Sequence, residues 1–123
     1  MAVELELSRG EFLVPVLIRA VRAVGVQCGL DLDRLGDAGV AAEAVALSWA
    51  GEGDPGDELL RVRITAAEGS LEVAFAFPRP GDAARARRAS VVPGSGAALD
   101  ALATAVVIEA APEASRLVMS FRP

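Results

Sequence analysis

The residues in this chain that could do chemistry are few. In "VVPGSGAALDAL", Val91 to Leu102, Gly94 and Gly96 stand directly before an apolar helical pattern. Unpaired backbone N–H groups and the partial positive charge at a helix N-terminus can hold a phosphate there. The same residues are equally what a plain turn into a helix needs. The second group is basic. Arg79 and the run "RARR", Arg85 to Arg88, offer guanidinium groups that pair with phosphate or carboxylate, or else form a solvated surface beside Gly81 and Asp82. The sequence contains no His, Lys, Tyr or Asn. Imidazole bases, phosphate-binding lysines, tyrosyl acids and Asn-held metals are therefore excluded, and most enzyme classes with them. No metal site is expected.

The chain has 123 residues, a net charge of -5 and a hydrophobic fraction of 53%. That length fits one domain with a real core. The acidic balance argues against nucleic acid, whose binding rests on neutralising phosphates. No apolar run approaches the roughly 18 residues needed to span a bilayer, so no membrane association is expected. Glu4 and Glu6 interrupt the N-terminal segment where a leader's apolar run would lie, which points to the cytoplasm. The single cysteine, Cys28, lies in the apolar string "VGVQCGL" and reads as a small buried hydrophobe.

The elements that must position these residues follow from periodicity. "AVELEL" alternates at period two and predicts a first strand with Val3, Leu5 and Leu7 on one face. Ser8 and Glu11 have capping-box spacing, and Leu13, Val16, Leu17, Ala20, Val21 and Val24 recur at helical spacing. Gly25 and Gly29 end that helix. Asp31 or Asp33 caps a second one, running to about Ala50 with Leu35, Ala38, Ala42, Val45 and Trp49 buried. After the turn "GEGDPGD" come two strands around "AEGS", with Leu60, Val62, Ile64 and then Leu71, Val73, Phe75, Phe77 facing inward. Residues 78–93 carry three prolines and no sustained period, and predict a long irregular connection. A third helix from Gly96 or Ala97 and a closing hairpin, "TAVVIEA" with "SRLVMSFRP", complete the order β-α-α-β-β-α-β-β. Gathered helices favour an α+β two-layer sandwich: a mixed, mostly antiparallel sheet covered on one face by about three helices.

That order resembles the anti-sigma regulatory factor family, small serine-protein kinases with the Bergerat-type (GHKL) ATP-binding fold of histidine kinases. "GLDLDRLGDAGVAAEAVALSWA" is similar to the family's acidic loop and the helix carrying Glu and, four residues later, Asn. "LEVAFAFPRPG" resembles the strand and Asp-x-Gly-x-Gly turn beneath the adenine, and "PGSGAALDALATAVVIE" the second glycine box with its helix and next strand. The resemblance implies that Glu43 occupies the position of the catalytic base, that Gly81, Gly94 and Gly96 are what remains of the nucleotide-binding turns, and that residues 78–93 correspond to the ATP lid.

The departures fall on the ATP site. Leu47 stands where the family holds magnesium with Asn, Phe77 where an Asp reads the adenine, and Arg79 at the first glycine of that box. A phenyl ring cannot accept the adenine's hydrogen bond. The resemblance with these departures implies a single histidine-kinase-like domain, catalytically silent and without a cofactor. It would bind a protein partner, a sigma factor or its antagonist, with Arg79, Arg85, Arg87 and Arg88 as candidate contacts and a homodimer as a further option. The alternatives are a surviving ATP-dependent serine kinase and a structural dimerisation domain.

Overall fold

The computed structural model describes residues 1–51, 58–91 and 98–123. The elements run β1 (Ala2–Ser8), α1 (Leu13–Gly25), α2 (Leu32–Ala50), β2 (Leu59–Ala67), β3 (Ser70–Phe77), α3 (Asp82–Ala89), α4 (Leu99–Leu102), β4 (Ala105–Ala110) and β5 (Ser115–Phe121). The strands form one sheet in the order β1-β2-β3-β5-β4. The architecture is an α+β two-layer sandwich. Every described strand pair is antiparallel, so the sheet is not mixed as expected.

Period two sorts the side chains. Leu60, Val62, Ile64, Leu71, Val73, Phe75, Phe77, Leu117, Met119 and Phe121 point to the helices and are buried. The opposite face carries Glu4, Glu6, Arg61, Arg63 and Arg116 around Ala74 and Ala76 and lines a shallow depression of about 490 Å³. Cross-strand pairs Glu4–Arg63 and Glu6–Arg61 neutralise much of its charge, as suits an antiparallel sheet with one wet face.

On the helical side, α1 buries Leu13, Leu17, Val21 and Val24. Pro15 sits in its first turn, where a missing N–H costs nothing. Helix α2 packs through Ala38, Ala41, Ala42, Val45 and Trp49, and its small residues let the two helices and the sheet approach closely. Gly25 marks that approach: a Cβ there would meet Leu35 Cδ2 at 2.7 Å. The Asp31 side chain caps α2 by accepting from the Arg34 amide at 2.8 Å. Gly69 turns the β2–β3 hairpin at φ 73° and donates its N–H to the Cys28 carbonyl at 2.7 Å. Cys28 is buried as expected.

Three local expectations are corrected. Ser8 does not cap α1: it stays extended in the ladder opposite Leu59, and the helix starts after Phe12 without a side-chain cap. Residues 82–89 are not irregular but form α3, a helix of Ala and Arg, both strong formers, with Asp82 in its first turn and Arg87 and Arg88 in its last. Its buried face consists of Asp82, Ala83 and Ala86, with no large apolar residue to create a visible period. The expected third helix is therefore the fourth, and it is one turn, Leu99–Leu102.

Arg34 fastens the N-terminal end of α2 to the far side of the sheet. Its guanidinium donates to the Leu102 carbonyl, the Thr104 hydroxyl, the Arg122 carbonyl and the Asp37 carboxylate, each at 2.8 Å. Bonds from a charged donor are the stronger kind. Arg34→Ala is expected to lower unfolding free energy in urea by about 2 kcal/mol. Arg34→Lys should recover less than half of that loss, because an ammonium cannot reproduce the planar fork. Full recovery by Lys would show that only the charge matters.

Candidate functional site

The C-terminal ends of α2 and β3 meet at an aromatic cluster. Trp49 and Phe77 have ring centroids 5.7 Å apart at 58°, and Phe75 stacks on Phe77 at 6.4 Å and 20°. Phe77 is 2% exposed. These rings occupy the end of β3, and no polar acceptor is presented at position 77.

Arg9, which follows β1, covers the cluster from the outside. Its guanidinium carbon lies 3.6 Å from the centre of the Trp49 ring, a cation–π stack. Its Nε donates to the Trp49 carbonyl at 2.9 Å, and Nη1 faces Glu58 at 3.5 Å. The Arg9 side chain is 2% exposed. Among the described residues, Arg9 Nη2, Trp49 Nε1 and Asp82 Oδ2 are buried without a hydrogen-bond partner.

From Glu58 the charges continue as a chain. Arg79 Nη1 reaches Glu58 at 3.1 Å, Arg79 Nε reaches Asp82 Oδ1 at 3.3 Å, and Arg85 Nη1 reaches the same oxygen at 3.1 Å. Ser115 closes the base of α3, accepting from the Ala83 amide at 3.0 Å and donating to the Arg79 carbonyl at 2.7 Å. The hydrogen bond and charge of Asp82 raise the Arg79 pKa, with Glu58 adding to it. A raised value means that this cation's contribution is complete below its ordinary pKa and is lost only in strong alkali.

The residues singled out by sequence are thus distributed as follows. Arg79 and Arg85 come together on Asp82, while Arg87 pairs with Asp100 of α4 at 2.6 Å. Arg88 is exposed in the last turn of α3. Gly81 precedes α3 at φ −90°, and an added Cβ would meet nothing within 4 Å, so the fold does not require glycine there. Glu43 is half-buried on α2 and makes no hydrogen bond or ion pair among the described residues. Leu47, one turn later, is 46% exposed, an apolar side chain on the surface. Gly94 and Gly96 lie outside the described residues.

Arg9, Glu58, Asp82 and Ser115 were not legible as site residues. Arg9 follows a strand and belongs to no periodic pattern, and its role exists only because α2 brings Trp49 beneath it. Asp82 carried one signal, Arg residues three positions before and after it.

No family model and no curated protein matches the chain. Its fold is similar to a crystal structure of the RsbU and RsbW domains of Rv1364c from Mycobacterium tuberculosis, with a TM-score of 0.70 at 13% identity. The similarity covers 100% of this chain and 33% of that one, so the chain spans about a third of the other's length. Among the described residues no helix is long and apolar enough to cross a membrane.

Proposed function

We propose that this chain is a protein-binding regulator of the anti-sigma type: a single histidine-kinase-like domain whose nucleotide pocket is filled by its own side chains and which transfers no phosphate. The observation that carries this reading is the buried Trp49–Phe77–Phe75 cluster; Phe77 is the residue that the resemblance aligns with the family's adenine-reading Asp. Leu47 supports it, since a surface leucine has no lone pair to offer a magnesium ion. The fold-level likeness to the RsbU and RsbW domains supports a regulatory setting, and fold alone does not establish function. The partner would be a sigma factor or the antagonist of one, and Glu43, Gly81, Gly94 and Gly96 would be relics without a catalytic or nucleotide-binding task.

The outer face of α3 would contribute to the partner surface. Arg79 and Arg85 are already engaged with Asp82, which leaves Arg87 and Arg88 as the pair that can be removed without stripping a buried carboxylate. The Arg87→Ala/Arg88→Ala double variant is expected to change stability by less than about 1 kcal/mol, as for exposed ion pairs generally. It should slow association with the partner recovered from native lysate and flatten the salt dependence of the rate. Unchanged association rates across salt concentrations would remove α3 from the interface.

A further inference from the structure

The face of the sheet turned away from the helices carries its charges in a fixed order. The ladder registers set Glu6, Arg61, Ala76, Arg116 and Glu109 side by side in one row across the sheet. The next row on the same face reads Glu4, Arg63, Ala74, Val118 and Val107. In the first row the acidic residues stand outermost, the arginines come next, and alanine occupies the central strand. In the second, Val118 and Val107 extend the apolar floor toward β4. Adjacent strands lie about 4.8 Å apart, so Arg61 and Arg63 of β2 and Arg116 of β5 form two walls about 10 Å apart, with Ala74 and Ala76 between them.

Folding alone does not call for this floor. Alanine is a poor strand former, and at the centre of a sheet it forfeits the cross-strand packing that larger side chains gain. The two alanines here leave the depression of about 490 Å³. Its walls are held by exposed ion pairs. Arg61 Nε is 3.5 Å from Glu6, Arg63 Nη1 is 3.7 Å from Glu4 and Arg116 Nη1 is 2.9 Å from Glu109, and the three arginine side chains are 72%, 59% and 47% exposed. Exposed pairs of this kind contribute little, so each guanidinium can turn toward the trough at small cost and use its remaining donors there.

We infer that this trough receives a helix of a partner protein, one with small and apolar residues along its contact stripe and Asp or Glu on both flanks. Width and charge together select that occupant. A helix with its side chains is about 10–12 Å across, which matches the spacing of the walls. An amphipathic helix lays its apolar stripe into such a groove. Its flanking carboxylates meet Arg61 and Arg63 on one side and Arg116 on the other, whereas a helix with basic flanks sets its charges against arginine. This face lies on the opposite side of the sheet from the aromatic cluster, so the inference does not depend on the role proposed above.

Fluorescence anisotropy with a labelled peptide of about 18 residues, cross-linked to stay helical, tests this. The peptide carries Ala and Leu along one stripe and Glu on both flanks, and a second peptide has Lys in place of each Glu. The net charge of -5 on the chain opposes the acidic peptide and attracts the basic one, so a preference for the acidic peptide reports the trough itself. The full chain is expected to bind the acidic peptide saturably below about 1 mM, and the basic one at least about tenfold more weakly. Arg61→Ala/Arg116→Ala should weaken binding of the acidic peptide about tenfold or more. Arg19→Ala/Arg22→Ala removes the same charge from exposed positions of α1 and should change it less than about twofold. Ala76→Glu sets a carboxylate directly between two arginines, and should keep or raise the Tm and yet abolish peptide binding. The inference is overturned by no saturable binding, by equally tight binding of the basic peptide, by equal weakening from the two arginine pairs, or by unchanged binding to Ala76→Glu. A parent dimer in sedimentation that Ala76→Glu makes monomeric would also overturn it, since the trough would then belong to a second copy.

Discussion

Replacing Phe77 with alanine is expected to lower the unfolding free energy by about 3–5 kcal/mol, the range for emptying a large aromatic site in a packed core. The ring is 2% exposed and lies between Trp49 and Phe75, so its removal strips contacts from two other aromatic side chains at once. The site cannot collapse easily, because Phe75 is fixed in β3 by ladders on both sides, opposite Val62 and Leu117. Phe77→Leu, which retains most of the volume, should lose less than half as much. Denaturant unfolding with an unchanged m-value is the measurement. A loss below about 1 kcal/mol for the alanine variant would mean that the ring does not fill this space.

Arg9→Ala should be the next most damaging change at the site, at about 3 kcal/mol, because it breaks a buried charged contact and opens space above Trp49. The guanidinium covers the indole at 3.6 Å and satisfies the Trp49 carbonyl at 2.9 Å. Glu58 would keep its contact with Arg79, so the carboxylate is not left alone. Much of the loss is then packing, and Arg9→Met, with a similar apolar stem, should cost less than about 1.5 kcal/mol. Both losses should be insensitive to salt, unlike those of exposed pairs. Equal losses for Met and Ala would assign the stabilisation to the charge and not to the packing.

The parts of this fold that were legible in sequence are those with a strong period. Both hairpins and the inward set from Leu60 to Phe77 follow from alternation, because one wet and one dry face leave a strand only one register. Helix α2 was visible through its Asp31 cap and the spacing from Ala38 to Trp49. Helix α3 was not, because a helix buried through Ala83 and Ala86 leaves no hydrophobic stripe, and the neighbouring prolines mark the surroundings as loop. The start of α1 was misplaced because capping-box spacing is local, while Ser8 is claimed by pairing with a strand fifty residues away. At the site, the inward direction of Phe77 was readable from its strand. The Arg9 stack and the Glu58–Arg79–Asp82–Arg85 chain were not, since each depends on tertiary approach between segments far apart in sequence.

The central proposal is that side chains fill the space which the resembling family gives to nucleotide, and calorimetric titration of the purified chain with ATP, with and without magnesium, tests it most directly. No saturable heat is expected up to about 1 mM nucleotide, a limit that corresponds to about −4 kcal/mol of binding free energy. A micromolar dissociation constant that requires magnesium would contradict the proposal, because Phe77 and Trp49 pack against each other and Leu47, which the resemblance aligns with the family's magnesium-holding Asn, offers no donor to a metal.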